Sequence, residues 1–264
     1  MSRFPGRKVI VTGAGRGIGQ ATALAFAAEG AEVLALGRTA ADLADTVGQV
    51  TQAGGSAWQA ECDVTDEAAV DEVVARAVDR WGTIDVLINN AGIDDDTPFL
   101  DIDRARWRAV IDTNLTGAFL MAQAVARPMA RAGGGVILHT ASIDASGADG
   151  PFAAYNASKA GLLGLSRTMA VELARYGIRS NCVSPGFTHT VMTEKAVGPE
   201  LMSYLNGSFD RVPIRRLVRT DEVAQAFLFL ASDHASSITG TDLRVDGGLT
   251  ANLYILETLP DASA

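Results

Sequence analysis

Cysteine is scarce: Cys62 and Cys182 are the only two in 264 residues, and they stand far apart. Neither lies in a metal-type spacing, so no metal centre is expected, and the pair reads as two small apolar side chains in a reducing compartment. Positive charge is also in deficit, with 22 Lys and Arg against 31 Asp and Glu and a net charge of -9. Without an overall positive field there is nothing to collect a phosphate backbone or an anionic bilayer, so neither nucleic acid nor membrane is an expected partner. No apolar run in the sequence approaches the ~20 residues that a membrane-spanning helix needs. The opening MSRFPGR leads straight into VIVT with no signal-peptide apolar region, and the expected location is cytoplasmic. Linkers, low-complexity tracts and repeats are absent too, and one domain spanning 1–264 is expected.

What the chain does contain is alternation. Short apolar or β-branched runs at Lys8–Thr12, Glu32–Leu36, Ser56–Ala60, Val86–Asn89, Val136–Thr140 and Arg179–Val183 are separated by longer segments of helical period. Strand followed by helix, repeated, requires crossover connections and a parallel sheet covered on both faces. Start signals precede the helices: Thr65 before Asp66 and Glu67, Asp103 before RARWRAVI, and Thr220 before Asp221 and Glu222. The triplet Gly133 to Gly135 reads as a helix end turning into the next strand.

Between the first strand and first helix lies TGAGRGIGQ, with Gly13, Gly17 and Gly19 spaced G-x-x-x-G-x-G. Glycine lets the backbone turn sharply and approach a pyrophosphate, which free N–H groups and the positive helix end then stabilise. Three later clusters fall at strand ends, where an open parallel sheet places its ligand crevice: NNAG at 89–92, Ser142 after VILHT, and YNASK with Tyr155 and Lys159. Four residues apart on a helix, the phenol and ammonium share a face. Lowering a tyrosine from ~10 to about 7 needs roughly 4 kcal/mol, which a fixed ammonium and a cationic nicotinamide ring can supply in a dry cleft. Asn114 interrupts IDTNLTGAFL, whose Ile111, Leu115, Ala118, Phe119 and Ala122 form an apolar stripe; a broken local rule inside a strong helix hints at function.

Together these residues resemble the short-chain dehydrogenase/reductases, in the 3-oxoacyl reductase-like subgroup of about this chain length. The resemblance runs from VIVTGAGRGIG through CDV at 62–64, NNAG, Asn114, Ser142, YNASK and SPGFTHT at 184–190 to RVDGG at 244–248. It implies a doubly wound Rossmann sheet of seven strands with helices on both faces, and hydride transfer between a nicotinamide and a carbonyl or alcohol carbon. By the same resemblance Tyr155 is the acid/base, Lys159 binds the ribose hydroxyls and lowers the tyrosine pKa, Ser142 holds the substrate oxygen, and Asn114 completes a proton relay. Cofactor contacts are implied for Gly13, Arg16, Gly17, Ile18, Gly19, Arg38, Asp63, Val64, Asn89, Ala91, Gly92, Tyr155, Lys159, Pro185, Gly186, Thr188 and Thr190. Assembly as a homodimer or homotetramer is implied, through the helices carrying Asn114 and Tyr155.

Other residues have more than one reading. Asp63 resembles an adenine contact, and as a turn residue before Thr65 it needs no ligand. His139 reads as a packed strand histidine, and His189 either lines the nicotinamide end or is a solvated loop residue. Residues 191–212 fall where the family carries a lid, and Met192, Leu201, Met202, Tyr204, Leu205 and Phe209 offer it an apolar wall. The aspartates of IDDD at 93–96 and IDAS at 143–146 read as solvated turn residues. After VDGG the extension 249–264 contains Leu253, Tyr254, Ile255 and Leu256, too apolar for a free tail and expected to pack on the body or a neighbouring subunit.

The apolar run VLAL at 33–36 stops on Gly37 and Arg38, where an NAD-binding fold places an acid on the ribose hydroxyls. Arg38, joined by Arg16, suits a 2′-phosphate, and NADP(H) is expected over NAD(H); a pocket that takes either cofactor, with Arg38 merely solvated, is the other reading. The expected substrate is a small-molecule alcohol or ketone. Reduction of a 3-oxoacyl thioester on a carrier protein is the runner-up, with Arg127 and Arg131 as its basic landing surface. A nucleotide-binding module without chemistry is a third class, disfavoured by the intact set Asn114, Ser142, Tyr155 and Lys159.

Overall fold

The computed structural model describes residues 2–190, 193–194 and 198–252. Seven strands form one sheet: β1 (Lys8–Thr12), β2 (Glu32–Gly37), β3 (Ser56–Glu61), β4 (Val86–Asn89), β5 (Gly135–Thr140), β6 (Ile178–Pro185) and β7 (Asp242–Val245). Their order is β3-β2-β1-β4-β5-β6-β7, and every pairing is parallel. Six of the seven agree with the expected runs to within two residues at each end. The seventh, DLRV, shows half-buried positions at the sheet edge and no apolar run, so only the resemblance anticipated it.

Both sheet faces are covered, which is why β1, β2 and β4 carry near-continuous apolar runs instead of alternating. On one face Val9, Val11, Val33 and Ala35 pack against Phe26 of α1 (Gly17–Ala28), Leu43 of α2 (Ala40–Gln52) and Phe227 of α8 (Thr220–Ala231). On the other face Ile10, Leu34 and Leu87 meet Val73 of α3 (Glu67–Trp81), Met121 and Val125 of α5 (Gly117–Ala132) and Met169 of α6 (Ala153–Glu172). Cys62 and Cys182 are both buried and free, in separate clusters.

Three local expectations need correction. Asp66, not Thr65, caps α3, accepting from the Ala69 N–H at 3.1 Å. Asp103 caps α4 (Arg104–Ile111) as expected, while α8 begins at Thr220 itself and is closed by Glu222 accepting from the Arg219 N–H at 2.8 Å. The third concerns Asn114. It does not interrupt a helix; residues Asp112–Thr116 form a π turn that joins α4 and α5 into one helix, Arg104–Ala132, of 29 residues. A π turn inserts an extra residue, so the α-helical stripe drawn through Ile111 and Phe119 loses its phase. Phe119 lands 41% exposed, while Asn114 is buried and Met121 and Val125 take the core positions. By length and composition this is the one helix among the described residues apolar enough to cross a membrane, contrary to the reading of the sequence, and its core positions are packed on the sheet.

Within residues 191–212, the described part contains α7 (Pro199–Gly207). Leu205 and Phe209 are buried against Val212, Leu217, Phe187 and Tyr204, so much of the expected wall packs on itself. Leu201 is 47% exposed. Met192 and the tail residues Leu253 to Leu256 lie outside the described residues.

Candidate active site

The chain leaves β1 toward β2 on one side and reaches β4 on the other, so a crevice opens at the carboxyl ends of β1 and β4. Polar groups at three strand ends hold it open. Thr12 Oγ1 accepts from the Asn90 and Ala91 N–H groups at 2.9 and 3.0 Å. The Asn90 amide donates to the Thr12 and Gly13 carbonyls at 3.1 and 3.3 Å and accepts from Thr140 Oγ1 at 3.1 Å. Asn90 was expected only as a member of the NNAG cluster, and Thr12 and Thr140 were given no role in the site. Their signal was present, as polar residues closing otherwise apolar strands, but not the fact that they meet.

Above this clasp sits the glycine turn. Gly13 and Gly17 have φ of 64° and 58°, in the left-handed region. A Cβ on Gly19 would come within 2.1 Å of the Gly13 carbonyl oxygen, and one on Gly13 within 2.9 Å of Ala91 Cα. Helix α1 starts directly from this turn, with no side-chain cap on its first N–H groups and no acid in its first turn. That uncapped positive end, flanked by exposed Arg16, could hold an anion such as a pyrophosphate. Ile18 packs against the core and so anchors the turn. Thr190 lies over it, its Cγ2 3.7 Å from where a Gly17 Cβ would be.

At the other end of the crevice the four expected catalytic residues come together. Lys159 is buried and donates to the Thr140 carbonyl at 2.7 Å. Its ammonium stands 5.4 Å from the Tyr155 ring centroid, and burial lowers its pKa to about 8. Ser142 caps the 3-10 turn Ile143–Ala145, accepting from the Asp144 N–H at 3.1 Å, and it also hydrogen-bonds the Tyr155 phenol. Asn114 is 1% exposed; it accepts from Ile93 N–H at 2.8 Å and donates to Ile93 O at 2.8 Å and Ser158 Oγ at 3.0 Å. Asn114 and Lys159 both border Gly92, whose Cβ would lie 3.3 Å from Asn114 Oδ1 and 3.6 Å from Lys159 Nζ.

The tyrosine differs from expectation. Burial raises its pKa above the ordinary value, the Ser142 hydrogen bond opposes the rise, and the carboxylates of Asp144, Asp94 and Asp149 add to it. The phenol is therefore protonated at neutral pH. Asp144, expected as a solvated turn residue, is half-buried, and burial followed by Asp149 pushes its carboxyl up to about 6.

At the carboxyl end of β2, Arg38 follows the strand with its side chain 63% exposed, 4.0 Å from Asp63. Gly37 ends β2 against α2, where a Cβ would sit 3.3 Å from Leu43 Cδ2. Asp63 accepts from the Thr65 N–H and hydroxyl at 3.0 and 2.8 Å, which holds its pKa low. Val64 is buried, and a Cβ on Gly117 would approach it to 2.6 Å, so its side chain braces α5. Gly186 and Pro185 end β6, where a Cβ on Gly186 would reach within 2.8 Å of Asp246 Cα. Thr188 is 5% exposed and donates to the Gly186 carbonyl at 2.9 Å, while Thr190 and Thr193 pair at 3.2 Å.

Two expectations fail on geometry, and two histidines settle into readings already allowed. The Asn89 side chain is buried and donates to the Ala118 carbonyl at 2.9 Å, facing α5 and not the crevice. His139 is packed beside it, Nδ1 3.4 Å from Asn89 Nδ2, as the strand reading expected. Arg127 and Arg131 are not beside the pocket, because α5 runs back along the sheet and its last turn feeds the start of β5, the end opposite the crevice. His189 faces Glu194 at 3.0 Å, a loop pairing.

Known proteins are similar to this chain over nearly its whole length. The family model described as "Enoyl-(Acyl carrier protein) reductase" matches residues 13–250. The chain is 39% identical over 253 residues to 3-oxoacyl-[acyl-carrier-protein] reductase of Synechocystis, covering 94% of this chain and 99% of that protein. It is 40% identical over 256 residues to L-rhamnose 1-dehydrogenase (NAD(P)(+)) of Azotobacter vinelandii, covering 94% and 98%. Among solved structures, 7α-hydroxysteroid dehydrogenase complexed with NADH and 7-oxo glycochenodeoxycholic acid superposes with a TM-score of 0.88 at 36% identity, covering 93% of this chain and 95% of that one.

Proposed function

The chain belongs to the short-chain dehydrogenase/reductase family and is an oxidoreductase, and from this premise we propose that it interconverts a secondary alcohol and a ketone with Tyr155 as the acid/base. The observation that carries the reading is the convergence of Tyr155, Ser142 and Lys159 on one end of a crevice whose other end is the glycine turn. A nicotinamide cofactor, when bound, supplies or takes up the hydride. Gly13, Arg16, Gly17, Ile18 and Gly19 would hold its pyrophosphate on the uncapped start of α1, with Thr190 closing over them and Thr188 beside it. Ala91 and Gly92 line the floor of the crevice. Arg38 and Asp63 would take the adenosine.

In the reductive direction Tyr155 donates its proton to the carbonyl oxygen, which Ser142 holds by a hydrogen bond. Lys159, buried with its ammonium 5.4 Å from the Tyr155 ring centroid, then stabilises the phenolate, and Asn114, pinned between Ile93 and Ser158, stands in the relay that replaces the proton. For oxidation the same groups run in reverse, and the phenolate must form first. Burial and the nearby carboxylates oppose that deprotonation, and Lys159 is the cation held beside the ring.

We assign NADP(H) in preference to NAD(H), on the strength of exposed Arg38 and Arg16 and the absence of an acid at Gly37. A 3-oxoacyl thioester is the second reading, favoured by the names of the relatives and weakened by the position of Arg127 and Arg131. The decisive experiment is Tyr155→Phe. Turnover should fall by at least about 1,000-fold while cofactor binding, followed by fluorescence titration, stays within about threefold, because the hydroxyl acts chiefly on the substrate oxygen. Turnover near the wild-type rate would sink the mechanism.

A further inference from the structure

One charged group at the crevice has no part in the mechanism above. Asp144 lies two residues past Ser142, its backbone N–H bonded to Ser142 Oγ at 3.1 Å and its Oδ2 3.3 Å from the same oxygen. The turn that carries it is anchored by buried Ile143. Its carboxylate is thus held beside the position of the reacting oxygen.

We propose that Asp144 is a specificity-determining residue: its carboxylate receives a second hydrogen-bond donor, a hydroxyl or ammonium, on the carbon next to the one that exchanges hydride, and disfavours an anionic group there. The inference rests on the reading of Ser142 and Tyr155 as the groups that bind the reacting oxygen. Geometry supports the reach. Vicinal oxygens lie about 3 Å apart, so a donor next to an oxygen bound at Ser142 comes within hydrogen-bond range of a carboxylate that is itself at contact distance from Ser142.

Charge supports the sign. The groups that face Asp144 are Asp149 on its own loop, Ser142, and Tyr155 on α6, whose phenol also senses Asp94 from the loop after β4. Lys159 is spent on the Thr140 carbonyl. Arg244, the cation that reaches this loop from β7, donates to Ser146 Oγ at 3.1 Å and Thr250 Oγ1 at 3.0 Å and stands 4.0 Å from Asp242. No cation pairs with Asp144 among the described residues. A half-buried carboxylate left without one is raised in pKa to about 6, and a donor on the ligand would satisfy it.

The test uses a matched set on one ring: cyclohexanol, trans-1,2-cyclohexanediol, trans-2-aminocyclohexanol and trans-2-hydroxycyclohexanecarboxylate. Oxidation is followed at pH 8 with both nicotinamide cofactors, in wild type, Asp144→Asn and Asp144→Ala. In wild type the diol and amino alcohol should exceed cyclohexanol in kcat/KM by at least about 10-fold, chiefly through KM, and the hydroxy acid should fall about 10-fold below it. Asparagine should erase the ammonium advantage and the carboxylate penalty while keeping part of the diol preference; alanine should erase all three.

Equal substrate ratios in wild type and Asp144→Asn would overturn the inference, cofactor binding by each variant having shown that it folds. If the variants do not fold, the wild type carries the test by itself. The ratio of amino alcohol to cyclohexanol cancels the shared titration of Tyr155, and it should decline as pH drops from 8 to 5 with a midpoint near 6. A flat ratio would refute the role of Asp144. Absence of turnover of all four compounds with both cofactors would instead refute the alcohol–ketone chemistry itself, and the inference with it.

Discussion

On the proposed reading, Arg38 is the side chain that would decide between the two cofactors. Its guanidinium is mostly exposed, and the nearest carboxylate, Asp63, is 4.0 Å away and already held by Thr65. An exposed pair of this kind is worth little, so the arginine remains available to a phosphate. One or two charge-assisted contacts give a preference on the order of 1 to 3 kcal/mol for NADP(H). Arg38→Ala should therefore lower the ratio of kcat/KM with the two cofactors by about 10-fold or more. A ratio that does not move would show that this arginine does not read the 2′-phosphate. His139 makes a separate prediction about pH. It is fully buried, and desolvation, with Lys159 adding, lowers its pKa from 6.5 to about 4. Because the folded value lies below the unfolded one, its contribution is complete above pH 6.5 and is lost as pH falls through 4, in total about 3 kcal/mol. Thermal denaturation of wild type between pH 7 and 4 should show that loss, and His139→Asn should flatten the slope across this window.

At the scale of the element, the glycine turn is a packing constraint before it is a binding site. The first turn of α1 crosses the end of β1 so closely that a methyl on Gly19 overlaps the Gly13 carbonyl. Gly19→Ala must therefore push the helix start away from the strand, moving the N–H groups that would face a pyrophosphate. Cofactor affinity in the variant should fall by at least about 10-fold, equivalent to about 1.4 kcal/mol, as read by fluorescence titration. Affinity equal to wild type would mean that the start of α1 does not hold the phosphates. The π turn at Asn114 works in the same manner. It spends helical regularity to bury one amide where Ile93 and Ser158 both need it.

For the molecule as a whole, the outer side of the same long helix leaves Trp107 39% and Phe119 41% exposed, and α6 leaves Val171 80% exposed. The loop before α4 adds Phe99 and Leu100, at 76% and 93%. These residues support the proposed dimer or tetramer, in which copies of these helices meet across a two-fold axis. Light scattering should give a mass of two or four chains, and Phe119→Glu should lower it by placing a charge in each copy of the interface. A monomeric wild type at working concentration would refute the assembly.

How much of this was legible without coordinates follows from the range of the interactions. Period and punctuation are local, so the runs that became β1 to β6 and the Gly133 helix end were readable from neighbours in the chain, and so was the shared face of Tyr155 and Lys159, one turn apart. The family resemblance brought Ser142 and Asn114 into the same site and anticipated β7. Tertiary structure alone decided what depends on residues far apart. It placed Thr12, Asn90 and Thr140 in one clasp, turned Asn89 away from the crevice, and carried Arg127 and Arg131 to the opposite end of the sheet. It also altered the phase of a helix by one inserted residue at Asn114, which no count of apolar positions reveals. The charge state of the site belongs to the same class: a sequence lists Asp144 and Tyr155, but only burial and the carboxylates folded around them determine how tightly each holds its proton.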